Sequence, residues 1–142
     1  MNELVAKAWE IARQAHANQV DKSGKPYIGH IERVAARVKS DEAKCVALMH
    51  DVLEDTQLLT VAEMRRLFGD VITDGVLAVT RQDGEDYTAF VRRASENRLG
   101  REVKIADLID NSNLSRLEHV MLKDVQRQRK YNDALLYLLS LE

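Results

Sequence analysis

The stretch MHDVLEDT, Met49 to Thr56, places one histidine, two aspartates and one glutamate among Met49, Val52 and Leu53. Carboxylates avoid apolar neighbours unless a cation or hydrogen-bond donors compensate their burial. On a continuous helix, residues four apart share a face, so His50 is expected above Glu54 and Asp51 above Asp55. Three carboxylates within five residues repel one another, and a divalent ion would remove that repulsion. Imidazole and carboxylate donors together suit Mn, Fe or Zn better than Ca or Mg. The plainer alternative is a solvated acidic helix end, but negative charge at a helix C-terminus opposes the macrodipole.

A metal site needs ligands beyond His50 and Asp51, and two other segments offer them. PYIGH ends in His30, where a helix should begin. VKIADLIDN sets Asp107 between Ala106 and Leu108 in an otherwise apolar run. Taken singly, such a histidine is a packed residue and such an aspartate the partner of a nearby base. Taken together, the three segments point to one shared cation.

These segments need elements to position them. Proline occurs once, at Pro26, and glycine six times. Helix formers dominate and no segment alternates as a strand would. A first helix is expected from about Glu3 to Val20, capped by Asn2, with Leu4, Val5, Ala8, Ile11, Ala12 and Ala15 on its inner face. DKSGKPYIG breaks the chain. A second helix should run from near His30 to near Lys39, and a third from Asp41 or Glu42 to about Glu54. TVAE, Thr60 to Glu63, is a capping box opening a fourth helix that stops near Gly69, with Asp70 capping a fifth. A sixth helix begins near Tyr87, GREVKIADLIDN continues the helical pattern, and a last helix follows Asp124. Loops should follow Val20, Asp55 and Thr80. The reading is a compact all-α bundle forming a single domain over residues 1–142.

The order His30, His50-Asp51, Asp107 resembles the metal-binding pattern of the HD-domain phosphohydrolases. AHANQVDKSGKPYIGHIERVA, ALMHDVLEDT, FGDVITDGVLAVT and VKIADLIDN resemble the hydrolase domain of the RelA/SpoT alarmone enzymes, over roughly Ala15 to Leu117. The HDVLEDT extension and the SGKPYI loop carry that narrower likeness, and the chain resembles a stand-alone small alarmone hydrolase. The resemblance implies that His30, His50, Asp51 and Asp107 hold a divalent metal, usually Mn2+, and that Glu54 and Asp55 position and activate the attacking water. It implies cleavage of the 3′-pyrophosphate of ppGpp or pppGpp to GDP or GTP. Lys22 and Ser23 match loop positions lining the nucleotide site, and Asn111 a position near ribose and base.

Elementary chemistry agrees with these roles. A divalent ion acidifies water and neutralises phosphoryl charge. Glu54 follows His50 by one expected helical turn and could accept a proton. Lys22 and Lys25 are cations on a glycine-containing loop, suited to an anionic substrate or, more plainly, to solvent. Three positions depart from the family pattern. Asp21 stands where a base-stacking cation is common, Leu108 where an arginine is common, and Ile31 where a proline often follows the histidine. Asp21 leaves adenosine alarmones open as substrates. The alternatives are an HD phosphohydrolase acting on another nucleotide, such as a nucleoside monophosphate, and a non-catalytic HD-fold binding module.

The remaining composition narrows the class. A net charge of −2 implies no basic surface for nucleic acid. Cys45 is the single cysteine, so it forms no intramolecular disulfide and reads as a small core filler in a reducing compartment. No apolar run approaches the roughly 18 residues that span a bilayer, and the N-terminus lacks the pattern of a signal peptide. A cytoplasmic protein is expected. His16 reads as a packed residue supporting the loop, Trp9 as a packing anchor, His119 as surface, and Tyr87 as a helix-start residue that could border the site.

Overall fold

The computed structural model describes residues 2–142, and among them the chain forms eight helices and no strand. They are α1 (Glu3–Ala15), α2 (Ile28–Ala36), α3 (Asp41–Met49), α4 (Val52–Asp55), α5 (Val61–Ala78), α6 (Tyr87–Ser95), α7 (Arg98–Asn111) and α8 (Leu122–Leu139). The expected all-α bundle is what forms. No helix among the described residues is long and apolar enough to cross a membrane.

α3 is the central element. Ala43, Cys45, Val46, Ala47, Leu48 and Met49 are all buried, so the helix is apolar nearly all round. α1, α2, α5 and α7 pack around it. Cys45 sits in this core as a reduced thiol. Close approach of α5 depends on Gly75, where an added Cβ would meet Val46 Cγ2 at 2.8 Å. A smaller cluster of Val91, Leu108, Ala134 and Leu138 joins α6, α7 and α8. Leu108 therefore points into this second core, which explains why no cation occupies that position.

Local chemistry fixes most boundaries. Asn2 Oδ1 accepts from the Leu4 N–H at 2.7 Å and starts α1. The Thr60–Glu63 capping box forms in both directions, at 2.9 and 3.1 Å. α5 is interrupted at Gly69, whose φ of 85° and ψ of 177° suit only glycine. The expected break between two helices is there. Asp70 pairs with Arg65 at 2.9 Å instead of serving as the second helix's cap.

Two expectations need correction. α1 stops at Ala15, five residues before Val20. The backbone from Gln19 onward is needed elsewhere: Tyr27 N–H donates to Gln19 O at 2.9 Å, Asp21 N–H to Lys25 O at 2.8 Å, and Val20 bridges Pro26. The third helix is not continuous through MHDVLED. It ends at Met49, and α4 begins only at Val52. Asp51, at φ −108° and ψ 1°, is non-helical. Burial of the His50 ring against α2 and α7, with Glu54 and Asp55 left accessible, requires this change of direction.

Candidate active site

Three elements converge on one point. α2 supplies His30 and Arg33. The α3–α4 junction supplies His50, Asp51, Glu54 and Asp55. α7 carries Lys104, Asp107, Asp110 and Asn111 at spacings of three and four, which share a helix face.

His30 and His50 are 3% and 2% exposed, and Asp107 is 7% exposed. One ligand atom from each of these residues can be chosen so that all three lie within 4.8 Å of one another. The geometry fixes which imidazole nitrogens are free. His30 Nδ1 donates to Asp110 Oδ2 at 2.6 Å, and His50 Nδ1 donates to the Ala47 carbonyl at 2.6 Å. Both Nε2 atoms then turn toward Asp107 Oδ1, at 3.0 Å from His30 and 3.3 Å from His50. His50 Nε2 is buried without a hydrogen-bond partner. Lone pairs facing one another in a buried site call for a cation, and two imidazoles with a carboxylate are the donors a borderline transition metal prefers. The arrangement could hold a divalent metal ion. Burial opposes charge on both imidazoles, but the carboxylates of Asp51, Asp107 and Asp110 outweigh it and raise both pKa values.

Asp51 borders this group, with Oδ2 at 3.1 Å from His50 Nε2, and accepts a hydrogen bond from the Tyr27 hydroxyl. Lys104 is 8% exposed, and its Nζ donates to Asp107 Oδ2 at 3.1 Å. Asn111 Nδ2 donates to Asp107 Oδ1 at 3.1 Å.

Glu54 Oε1 accepts from the Arg81 N–H at 2.9 Å, and Asp55 Oδ2 from Gln19 Nε2 at 3.2 Å. Both carboxylates remain accessible to solvent. Partial desolvation, followed by repulsion from Asp51, raises both pKa values. In Glu54 the Arg81 hydrogen bond acts against this rise.

The cluster opens into a cavity of about 510 Å3, within the ordinary range for small-molecule sites. Its walls carry cations as well as the acidic group, among them Lys22, Arg81, Arg127 and Lys130. Lys130 Nζ and Arg81 Cζ approach the Tyr87 ring at 4.3 and 5.7 Å. Desolvation and then neighbouring cations lower the Lys22 and Lys130 pKa values. Mutually repelling cations in a concave site fit an anionic ligand.

The HD-domain profile matches residues 8–125, most of the chain. The chain belongs to the HD-domain family. It is 31% identical over 121 residues to a guanosine-3′,5′-bis(diphosphate) 3′-pyrophosphohydrolase of Aquifex aeolicus, covering 77% of this chain and 17% of that protein. It is 42% identical over 95 residues to the bifunctional (p)ppGpp synthase/hydrolase SpoT of Escherichia coli K12, covering 64% of this chain and 13% of SpoT. The chain thus spans less than a fifth of the length of these relatives. A solved metazoan protein, described as an ortholog of SpoT that hydrolyzes ppGpp, has a TM-score of 0.78 at 21% identity, over 98% of this chain and 86% of its own. That likeness establishes the fold, and the resemblance to RelA/SpoT-type HD domains is borne out.

This HD domain brings His30, His50, Asp51, Asp107, Glu54, Asp55, Lys22, Ser23 and Asn111 to one cavity. Lys25 is exposed and outside the cavity lining, and its N–H donates to Asp21 Oδ1 at 3.0 Å. Asp21 also accepts from Ser23 N and Ser23 Oγ at 2.9 and 2.6 Å, so its carboxylate holds the loop turn. Burial pulls the Asp21 pKa up, but these hydrogen bonds outweigh it and lower it. His16 is buried, with Nδ1 at 2.7 Å from Gln19 Oε1, and His119 is exposed. Tyr87 lines the cavity.

Sequence reasoning passed over Tyr27, Arg33, Lys104, Asp110 and the segment after Asn111 that carries Arg116. Lys104 and Asp110 flank Asp107 at i−3 and i+3, a spacing that could have exposed them. Arg116 had no such signal, because it reaches the site through a loop.

Proposed function

We propose that this chain removes the 3′-pyrophosphate from guanosine 3′,5′-bis(diphosphate), giving GDP and pyrophosphate, with a divalent ion, most suitably Mn2+, at the cluster. The observation that carries this reading is the convergence of His30 Nε2, His50 Nε2 and Asp107 Oδ1, with Glu54 and Asp55 facing the same cavity. The relatives, a guanosine-3′,5′-bis(diphosphate) 3′-pyrophosphohydrolase and a (p)ppGpp synthase/hydrolase, add the substrate class.

In this reading His30, His50 and Asp107, with Asp51 beside them, are the ligands. A bound ion acidifies water and neutralises charge on the phosphoryl oxygens. Glu54, with its raised pKa, accepts the proton of the attacking water, and Asp55 helps orient that water. Lys22, Ser23 and Asn111 contact the nucleotide, and the cations around Tyr87 meet its phosphates. Residues 1–142 act as one hydrolase domain in the cytoplasm, on a small nucleotide and not on nucleic acid or membrane.

Asp21 bears on base preference. Its carboxylate is committed to the loop and cannot stack on guanine as a cation would, which leaves the adenosine counterpart open as a substrate. Product analysis by anion exchange tests both points. The protein is incubated with ppGpp and with its adenosine counterpart, each with Mn2+ and with EDTA, beside Asp107→Ala. Metal-dependent pyrophosphate release, lost in the variant, is expected. No cleavage of either nucleotide by a protein that binds Mn2+ rejects the alarmone reading in favour of another phosphorylated nucleotide.

A further inference from the structure

Asp110 is a buried acid held from several sides, and it has no place in the mechanism above. It is 3% exposed. Its Oδ2 accepts from His30 Nδ1 at 2.6 Å and its Oδ1 from Arg33 Nε at 2.7 Å. Arg33 makes a second contact at 3.2 Å. From the other side, Arg116 donates to the Asp110 carbonyl at 3.0 Å and approaches Oδ2 at 3.4 Å. A carboxylate held by two guanidiniums acts as an acceptor only, so the hydrogen on the His30 bond belongs to His30 Nδ1.

We propose that Asp110 is a positioning residue: it fixes His30 in the Nδ1–H tautomer with Nε2 directed at the metal, and through Arg116 it ties the cavity-wall loop to that ligand. The inference rests on the ligand role assigned to His30 above. Without Asp110, the ring is free to take the Nε2–H tautomer, which cannot bind a metal, or to rotate. The carboxylate also raises the basicity of Nε2, as outer partners of ligating histidines do. Arg33 and Arg116 do not touch the ring. They hold the carboxylate, and Arg116 adds a route from the cavity wall, since it lines the cavity itself.

The test uses the full chain, stripped of metal and titrated with Mn2+ by calorimetry, without substrate. Asp110→Asn and Asp110→Ala should weaken Mn2+ binding about 10–100-fold, and Asp110→Glu should recover part of it. Nitrogen NMR of the metal-free protein, at a pH high enough for the His30 ring to be neutral, should show the Nδ1–H tautomer in the wild type and a shift toward Nε2–H in Asp110→Ala. Arg116→Ala, which leaves the His30 bond intact, should bind Mn2+ within about twofold of wild type and raise KM more than it lowers kcat. A folded Asp110→Asn with unchanged Mn2+ affinity overturns the proposal, as does an unchanged His30 tautomer. If Asp110→Ala does not fold, the Asn and Glu variants carry the same comparison. A wild type that binds Mn2+ in this Asp110-dependent way but cleaves no alarmone rejects the proposed substrate and leaves the positioning role standing. Wild-type Mn2+ affinity no better than that of His50→Ala overturns both.

Discussion

Lys104→Met separates the charge balance of the metal-free protein from that of the metal-bound one. The ammonium lies 3.1 Å from Asp107 Oδ2, with both residues buried, and also sits 4.7 Å from the Phe90 ring centroid. Methionine keeps most of the stem and removes the charge. Burial disfavours the charge on each partner, and their mutual attraction outweighs it, raising Lys104 and lowering Asp107. Breaking a buried pair from one side costs about 3–5 kcal/mol. Asp107 keeps its contacts with both imidazoles, which argues for about 3 kcal/mol, the low end of that range. For a chain of this size that corresponds to a fall of about 10 °C in the Tm of the metal-free protein. A bound divalent ion would meet most of the Asp107 charge itself and leave Lys104 only a residual attraction. The cost should then shrink to about 1 kcal/mol. Linkage requires the difference, about 2 kcal/mol, to appear as Mn2+ binding about 30-fold tighter in the variant. Melting in EDTA measures the first quantity and titration calorimetry with Mn2+ the second. A metal-free variant melting within about 3 °C of wild type, or one that binds Mn2+ more weakly, would refute the reasoning.

Glu54→Gln should lower kcat by about 10²–10⁴-fold and leave Mn2+ stoichiometry unchanged; equal loss of metal would assign Glu54 to the ligand set instead. Because a proton acceptor works only when deprotonated and the Glu54 pKa is raised, activity should fall with pH in a limb above the ordinary 4.5. Asp55→Asn removes a like charge and should move that limb downward, which a kcat–pH profile reads directly. Arg93 holds Glu85 at about 2 against an ordinary 4.5, through bonds of 2.8 and 2.9 Å. Its folded pKa is the lower one, so the stabilisation is complete above about 4.5 and disappears as pH falls toward 2. Glu85→Gln should cost about 1–2 kcal/mol at pH 7, with the gap to wild type closing in urea melts below pH 4.5. Gly69→Ala meets no atom within 4 Å, so its cost comes from φ +85° alone, about 1–3 kcal/mol; activity per folded molecule should be unchanged.

The site was legible where chemistry is written in residue type. Two histidines and the aspartates beside them, separated by apolar helices, announce a shared cation because buried lone pairs need one. Asn2, Thr60–Glu63 and Gly69 were legible for the same reason, since each satisfies or breaks a backbone requirement within a few residues. Elements whose bounds depend on distant partners were not. AHANQV has no glycine or proline to stop a helix, yet Gln19 gives its carbonyl to Tyr27 and its amide to Asp55. The acceptor of that amide is 36 residues away.

The sequence by itself determined an all-α bundle and the residue types for a metal site, because helical periodicity and ligand type are local properties, and the likeness of its motifs added the HD family. The tertiary structure decided which nitrogen of His30 is free. The acceptor that fixes its tautomer, Asp110, lies on another helix, whereas the acceptor for His50, the Ala47 carbonyl, is only three residues back, in α3. It also decided that the helix through MHDVLED must break at Asp51. No propensity calls for that break. Packing of His50 against α2 and α7 does, because a straight helix would leave the ring and the Glu54 carboxylate on one face and could not bury the first while exposing the second to substrate.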